Sequence, residues 1–157
     1  MHEPSALDRL VAIDEIGQLK ARRDRAVDTK DWDGYYALHA PHHYSHNDGE
    51  GRHDRDQMIA HVRRSLQNVD TAHHSHTPEI VLDSPTTASG IWAMQDVLYW
   101  NQGTEEHWLH GFGFYHETYE QVDGRWLFTS RQLRRTFVRT SPGAAFGTDA
   151  VTERIRP

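Results

Sequence analysis

Three histidines lie close together in the segment from Thr71 to Glu79, at positions 73, 74 and 76. The unperturbed pKa of histidine lies near neutrality, so a positioned imidazole can accept a proton and return it. A carboxylate that accepts a hydrogen bond from one ring nitrogen fixes the tautomer and stabilises the imidazolium formed at the other. The chemistry that this segment indicates is proton abstraction by a histidine with an acidic partner elsewhere in the chain.

His74 and His76 also allow a second chemistry. If the local strand begins early, the two share one face, and with Glu79 they form a two-histidine, one-carboxylate set of the kind that binds divalent transition metals. The set is similar to the His-x-His…Glu motif of cupins, but the acidic residue follows too soon and the helical N-terminal half does not suit that fold. We therefore expect no metal or other cofactor, and a metalloenzyme remains the alternative.

The composition narrows the classes of function. The 157 residues fit a single domain over 1–157, with its core at about 5–139 and an irregular tail at 140–157. A net charge of −6, from 17 Lys and Arg against 23 Asp and Glu, argues against a nucleic-acid or membrane partner. The absence of Cys excludes disulfides and thiol chemistry. No apolar run reaches the ~20 residues of a membrane span, which favours a cytoplasmic protein.

Hydrophobic spacing predicts helices first and strands afterwards. A capped helix is expected from Ser5 to about Val27, a short one after Asp31 and a third at about 55–68. The period then changes to two, with strands at about 77–83, 87–100, 105–120 and 125–139 separated by turn residues. This order predicts an α+β fold in which three helices pack on a strongly curved, mainly antiparallel sheet.

Several phrases resemble the SnoaL-like branch of the nuclear transport factor 2-like superfamily over about residues 8 to 138. They are Ala26-Val27-Asp28, Thr71-Ala72-His73-His74, Gly113-Phe114-Tyr115-His116-Glu117-Thr118-Tyr119-Glu120 and Asp123-Gly124-Arg125-Trp126. The resemblance implies a cone-shaped α+β barrel around an apolar pocket. Members include scytalone dehydratase, bile-acid 7α-dehydratase and hexachlorocyclohexane dehydrochlorinase, and also dioxygenase small subunits that do no chemistry.

The resemblance also implies which residues act. In the dehydratases an Asp at the end of the first helix orients a His near the next strand, and these positions are Asp28 and His73 here. Tyr36, Tyr115 and Arg131 are candidates to stabilise developing negative charge. Arg131 could instead pair with Asp28, because an unpaired buried arginine is costly. The candidate substrate-binding residues are Trp32, Trp92, Met94, Gly111, Gly113 and Leu133.

We therefore expect a cofactor-independent, dehydratase-like lyase or isomerase that acts on a small hydrophobic polycyclic or aromatic molecule. The alternatives are a non-catalytic ligand-binding or oxygenase small-subunit-like module and a His-ligated metalloenzyme. Alternation along the strand places Phe112 and Phe114 opposite Gly111, Gly113 and Tyr115. If these phenylalanines point outward, a monomer would expose an apolar patch, so we expect a homo-oligomer, with a trimer ahead of a dimer.

Overall fold

A computed structural model of the chain describes residues 4–47 and 51–145. The elements follow one another as α1 (Ala6–Asp28), α2 (Trp32–Ala37), β1 (His39–Asn47), β2 (His53–Asp54), α3 (Arg55–Leu66), β3 (Asp70–Ser84), β4 (Thr87–Gln102), β5 (Glu105–Val122) and β6 (Arg125–Thr140). The residues Asp48-Gly49-Glu50-Gly51 predict a turn, but positions 48–50 and most of the expected tail lie outside the described residues.

The six strands form one open, mixed sheet in the order β2-β1-β6-β5-β4-β3. Strands β3 to β6 are an antiparallel meander, and β1 joins it in parallel with β6. The predicted α+β architecture, three helices on a mainly antiparallel curved sheet, is confirmed.

Strand β3 begins at Asp70, seven residues before the predicted start, so His73 lies inside the strand. The sequence pattern hides this because the first half of β3 carries polar side chains on both faces. Those that face α1 bond to helix carboxylates instead of packing in an apolar core. Apolar alternation, the usual signal of a half-buried strand, is therefore missing from that half.

Helix α1 begins as predicted, with Ser5 and Asp8 forming a capping box. Helical spacing predicts a buried stripe of Leu, Val and Ile residues from Leu7 to Leu19, and the structure buries a different set. Four apolar residues of the first turns are exposed, namely Leu7, Leu10, Val11 and Ile13, while Lys20 and Arg23 are buried. Leu7 and Val11 border an open groove of about 490 Å³ that also contacts Trp126. The helix thus packs on the sheet only from Ala12 onward.

Two apolar clusters fill the space between helices and sheet. One contains Ile16, Leu19, Trp92, Met94, Tyr115, Tyr119, Phe128 and Leu133. The other contains Val27, Trp32, Tyr35, Met58, Ile59, Leu98 and Leu109. Between them α1 and the strands contribute four buried or nearly buried charged residues, Arg23, Asp24, Asp96 and Arg135, which we call the polar layer. On β4, for example, Asp96 lies between Met94 of the first cluster and Leu98 of the second.

Two glycines of β5 make room for this arrangement. A Cβ atom at Gly111 would overlap the Arg135 guanidinium and the Asp96 carboxylate, so the ion pair needs glycine there. A Cβ atom at Gly113 would meet the backbone of β6 at Arg134, where the register between the two strands shifts. Gly111 thus admits a charged pair, and Gly113 permits the bend of the sheet.

A buried hydrogen-bonded chain holds α1 against the sheet within the first cluster. Lys20 Nζ lies 2.5 Å from Glu117 Oε1, the Tyr119 hydroxyl donates to Glu117 Oε2 at 2.7 Å, and Trp92 Nε1 donates to the Tyr119 hydroxyl at 2.7 Å. Burial lowers the pKa of Lys20 to about 8, although the charge of Glu117 opposes the shift. These hydrogen bonds satisfy polar atoms that would otherwise be unpaired in an apolar core.

The segment after β6 begins in a fixed position. The Ser141 N–H donates to the Trp108 carbonyl at 3.0 Å, its hydroxyl accepts from the Trp108 N–H at 3.1 Å, and the residue is buried. The irregular tail therefore starts after Ser141. Within the described part of the chain, no helix is both long and apolar enough to cross a membrane.

Candidate active site

Asp28 and His73 meet at the junction of α1 and β3. Asp28 is the last residue of α1, and its Oδ1 lies 2.7 Å from His73 Nδ1. Its Oδ2 accepts from the His73 backbone N–H at 2.9 Å, and Oδ1 also accepts from the Thr71 hydroxyl at 2.9 Å. The side chain of His73 is 8% exposed and that of Asp28 25%. One carboxylate thus holds both the backbone and the ring of the same histidine.

Two side chains of α1 can bond to two side chains of β3 because the rise over four helical residues nearly equals the rise over two strand residues. Asp24 and Asp28 are four residues apart on α1, a rise of about 6.0 Å, while His73 and Ser75 are two residues apart on β3, about 6.6 Å. The Ser75 hydroxyl donates to Asp24 Oδ2 at 2.7 Å. His74 points to the opposite, exposed side of β3 with His76. The alternation that separates His73 from its two neighbours is the one expected for an early strand start.

The hydrogen bonds define the protonation states of the pair. Because a carboxylate can only accept, Nδ1 of His73 carries the proton and Nε2 keeps the lone pair. Burial alone would raise the pKa of Asp28, but the hydrogen bonds from His73 and Thr71 lower it below its usual value. Asp28 is therefore ionised at neutral pH and placed to stabilise an imidazolium on His73.

A second charged pair lies across from the histidine. His73 is paired with Asp96 in the register of β3 and β4, and Asp96 binds Arg135 through two hydrogen bonds of 2.9 and 2.5 Å. Burial would raise the pKa of Asp96, but the charge and hydrogen bonds of Arg135 lower it. This paired carboxylate is thus held as an anion near the imidazole.

Three cations surround the ring of Tyr115. Lys20 Nζ lies 3.9 Å from the ring centroid, and the guanidinium carbons of Arg23 and Arg131 lie at 5.1 and 5.5 Å. Burial raises the pKa of Tyr115 although Arg23 and Arg131 oppose the shift, so the phenol stays neutral and can donate. The Nε atoms of Arg23 and Arg131 are buried and have no hydrogen-bond partner among the described residues.

Arg23 and Arg131 differ in whether a carboxylate lies close enough to pair with the positive charge. Arg23 donates to Asp24 at 2.9 Å, whereas within residues 4–47 and 51–145 no carboxylate lies within 4.0 Å of Arg131. The alternative pairing of Arg131 with Asp28 is wrong, because Asp28 is engaged by His73 and Thr71. Arg131 is therefore a buried cation without a carboxylate partner among the described residues.

The structure separates the other predicted site residues. Trp92, Met94 and Leu133 pack with Tyr115 in the first apolar cluster, while Trp32 belongs to the second and donates through Nε1 to Gln67 at 2.7 Å. Of the two glycines, Gly111 lies against the polar layer at Asp96 and Arg135, whereas Gly113 lies against the backbone of β6.

Tyr36 is placed differently from the prediction. It is 37% exposed and its ring lies beneath the guanidinium of Arg55, 4.0 Å from the ring centroid. Tyr35 is the buried tyrosine of α2. The placement contradicts a role for Tyr36 in donating to a substrate inside the fold, because the first and fourth residues of this short helix face the core and the fifth does not.

Several residues of the site were not predicted: Arg23, Asp24, Thr71, Asp96 and Arg135. The signal for Arg23 was present, since Ile16, Lys20, Arg23 and Val27 follow one another at helical spacing. For Asp96, the signal was a charge on the same strand face as Trp92, Met94 and Leu98. No comparable signal existed for Thr71 or Arg135, whose roles depend on register between elements.

Three surface cavities, of about 360, 450 and 490 Å³, are lined neither by Asp28 nor by His73. No three His, Cys, Asp or Glu side chains within residues 4–47 and 51–145 are grouped as metal ligands. His74, His76 and Glu79 are accordingly not assembled, and a register shift separates His76 from Glu79.

The fold is similar to those of several solved structures. A hexachlorocyclohexane dehydrochlorinase of type 2 is 18% identical with a TM-score of 0.77, covering 92% of this chain and 99% of its own. A protein from Novosphingobium aromaticivorans named as a scytalone dehydratase is 20% identical, with a TM-score of 0.75 and coverages of 91% and 96%. A type 3 hexachlorocyclohexane dehydrochlorinase from Novosphingobium barchaimii is 19% identical, with a TM-score of 0.75 and coverages of 90% and 98%.

At these identities the likeness to solved structures establishes the fold alone. Family membership rests on the sequence, because the model of the SnoaL-like domain matches residues 8–132. That match runs from the first turn of α1 to the middle of β6 and includes Asp28, His73 and Arg131. The chain belongs to the SnoaL-like domain family of the nuclear transport factor 2-like superfamily.

Proposed function

We propose that the protein is a cofactor-independent lyase or isomerase of the dehydratase type, in which His73 is the general base and Asp28 orients it. The observation that supports this most directly is the 2.7 Å contact between Asp28 Oδ1 and His73 Nδ1. It leaves the basic lone pair on Nε2 and an ionised carboxylate behind the ring, the arrangement that general-base catalysis requires.

In the proposed reaction, Nε2 of His73 removes a proton from a carbon next to a carbonyl or a leaving group. The electrons of the C–H bond form a new double bond, and negative charge builds on the carbonyl oxygen or departs with the leaving group. In this proposal Arg131 and the neutral hydroxyl of Tyr115 stabilise that charge; the guanidinium groups of Arg131 and Arg23 both lie over the Tyr115 ring. The proton then leaves the imidazolium for the departing hydroxide, for another carbon of the product, or for solvent.

The surroundings favour a mainly apolar substrate. The polar layer is bounded on both sides by apolar clusters rich in aromatic residues. We expect a flat ring system with few polar groups to be the kind of molecule that such surroundings bind. The polar groups of that ring system are expected at the positions of His73 and Arg131.

The test is turnover by the purified protein of substrates suggested by the names of the similar proteins. Scytalone would be followed by ultraviolet absorbance as it loses water, and hexachlorocyclohexane by chloride release. With a substrate that is turned over, His73→Ala should reduce kcat by at least ~10²-fold, the usual contribution of a general base. His74→Ala is the matched control, because this neighbour points to the other side of β3, and it should retain the wild-type rate.

Equal turnover by the His73→Ala and wild-type proteins would refute the proposed mechanism. A non-catalytic ligand-binding module remains the alternative, and it predicts ligand binding without turnover and stable association with a larger partner protein. A metalloenzyme predicts a stoichiometric metal that is lost when His74 or His76 is replaced.

We also propose that a second copy of this chain covers the outer face of the sheet. Phe114 and Phe137 are 43% and 47% exposed there, and Phe112 stacks on Phe137 with ring centroids 4.5 Å apart. Exposed Arg134 lies on the β6 side of the patch and exposed Glu79 on the β3 edge, so two copies can pair opposite charges around apolar centres. A trimer is expected ahead of a dimer.

A further inference from the structure

His43 occupies an irregular part of β1. From His39 to Tyr44 the strand advances five residues while its partner β6 advances only two, from Phe128 to Ser130. The Phe128 N–H still finds a backbone partner, and the Phe128 carbonyl is bonded by Nδ1 of His43 at 3.1 Å instead. The histidine thus takes the place of a missing backbone donor.

This contact fixes the tautomer of His43. A carbonyl oxygen can only accept, so Nδ1 carries the proton and Nε2 carries the lone pair. His43 is 1% exposed, and its Nε2 is a buried atom without a hydrogen-bond partner among the described residues. Buried polar atoms in folded proteins are nearly always hydrogen-bonded, so an unpaired acceptor of this kind indicates a partner that is not part of the described chain.

His43 lies next to the β6 segment that carries Arg131, because Tyr44 and Ser45 of β1 pair with Ser130 and Arg131. The positive charges of Arg131 and Arg23 both act on the His43 ring, and burial followed by the charge of Arg131 lowers the pKa of His43 to about 4. The imidazole is therefore neutral at pH 7. The same two arginines lie over Tyr115, and each has a buried Nε without a partner among the described residues.

The neighbouring histidine does not share this property. His39 packs edge-on against His43 with ring centroids 4.7 Å apart, but its Nδ1 donates to the Tyr35 carbonyl at 2.7 Å, and its Nε2 is not among the buried atoms that lack a partner. Among the described residues, the buried polar atoms without a partner thus include one acceptor, on His43, and two donors, on Arg23 and Arg131.

We propose that His43 is a specificity-determining residue whose Nε2 accepts a hydrogen bond from a hydroxyl group of the substrate. The inference rests on the proposed function in placing the substrate beside Tyr115. A molecule with one hydroxyl donor and one carbonyl or anionic oxygen satisfies His43 and the two arginines together. A halogenated hydrocarbon offers no donor and leaves Nε2 unpaired. The protein therefore selects hydroxylated ring compounds over halogenated ones.

Binding of two ring probes of nearly equal size tests this selection without requiring turnover. 2-Naphthol carries a hydroxyl donor, and 2-fluoronaphthalene does not. We expect the wild-type protein to bind 2-naphthol with a Kd at least ~10-fold lower, as found where a site is built to hydrogen-bond a hydroxyl. His43→Phe should abolish that preference, and His43→Gln, whose amide can donate to the carbonyl and still accept, should keep most of it. His42→Phe is the matched control, since His42 is exposed.

His43→Phe also removes the donor to the Phe128 carbonyl. The proposal is therefore tested by a second measurement that uses the wild-type protein and needs no variant. Nitrogen-15 spectra of labelled histidine should show Nε2 of His43 unprotonated, and 2-naphthol but not 2-fluoronaphthalene should shift its resonance. A protonated Nε2, or a preference for 2-naphthol that persists in folded His43→Phe, would overturn the proposal. An Nε2 resonance that 2-naphthol does not shift, because the atom binds only an ordered water, would also overturn it. His73→Ala should lose turnover but keep the preference, which separates the failure of this inference from failure of the general-base mechanism.

Discussion

Replacing Asp28 by Asn tests the proposed base most sharply, because the two side chains have the same shape. The Asp28 carboxylate accepts three hydrogen bonds, two from His73 and one from Thr71, at 2.7 to 2.9 Å. An amide offers one oxygen and one NH₂ group to the same three donors. If its NH₂ faces the His73 ring, Nδ1 must become the acceptor, and the proton moves to Nε2, where the base is needed.

The structure sets the expected magnitudes. Hydrogen bonds to a charged group contribute about 1.5–3 kcal/mol each. After the replacement the amide oxygen still accepts hydrogen bonds, and the side chain at this position is partly exposed. We therefore expect the free energy of unfolding to fall by about 1–3 kcal/mol. Loss of the required tautomer and of the carboxylate that stabilises the imidazolium should lower kcat by about 10²- to 10⁴-fold.

Two assays follow the two effects. Urea unfolding measures stability, and nitrogen-15 spectra of labelled histidine report which nitrogen of His73 carries the proton, with kcat measured on any substrate that is turned over. Asp14→Asn is the matched control, because Asp14 is an exposed carboxylate of the same helix whose one hydrogen bond within residues 4–47 and 51–145 comes from the Gln18 side chain. An Asp28→Asn protein with the wild-type tautomer and the wild-type rate would show that the carboxylate does not orient a catalytic base.

Three further predictions concern stability. Because burial and Arg131 hold the folded-state pKa of His43 near 4 against an ordinary 6.5, the unfolded state binds more protons between these values, so stability falls as pH drops from 6.5 to 4. At about 1.4 kcal/mol per pKa unit this loss of stability is about 3 kcal/mol. Urea titrations at several pH values should show a smaller loss for His43→Gln than for the wild type. Parallel curves of stability against pH for the two proteins would contradict this prediction. Gly111→Ala should cost at least about 1–3 kcal/mol by overlapping the ion pair of the polar layer, whereas Gly17→Ala, with open space around its Cβ, should be neutral or stabilising in thermal unfolding. Lys20→Met should cost about 3–5 kcal/mol by leaving Glu117 unpaired, and adding Glu117→Gln should recover much of that loss; a double variant no more stable than the single one would argue against the buried pair.

The general architecture was accessible from local patterns. The capping residues at Ser5, the change of hydrophobic period after the third helix and the turn residues between the strands are short-range signals, and each predicted its element to within a few residues. The beginning of β3 was the exception. There the strand faces a helix through polar side chains, so the alternation that identifies a half-buried strand was absent.

The residues of the candidate site also divide into those with a local sequence signal and those without one. Asp28 and His73 were assigned through the resemblance to a family, because 45 residues separate them and no local pattern links their side chains. Arg23 had a local signal in the helical stripe. The Asp96–Arg135 pair had none, because it depends on the register of β4 and β6 with β5 between them. The exposure of Tyr36 likewise follows from how α2 rotates against the core.

Residue types and spacings alone were sufficient for an α+β chain with an imidazole near a strand and a carboxylate at the end of a helix. Those features arise from contacts within one or two turns, whose energetics depend on neighbouring residues. The folded chain was needed to show that helix and strand repeats bring two carboxylates opposite His73 and Ser75, and that His43 keeps an unpaired lone pair. Such facts depend on groups distant in sequence, and their geometry is set only when the two apolar clusters pack and enclose the charged residues between them.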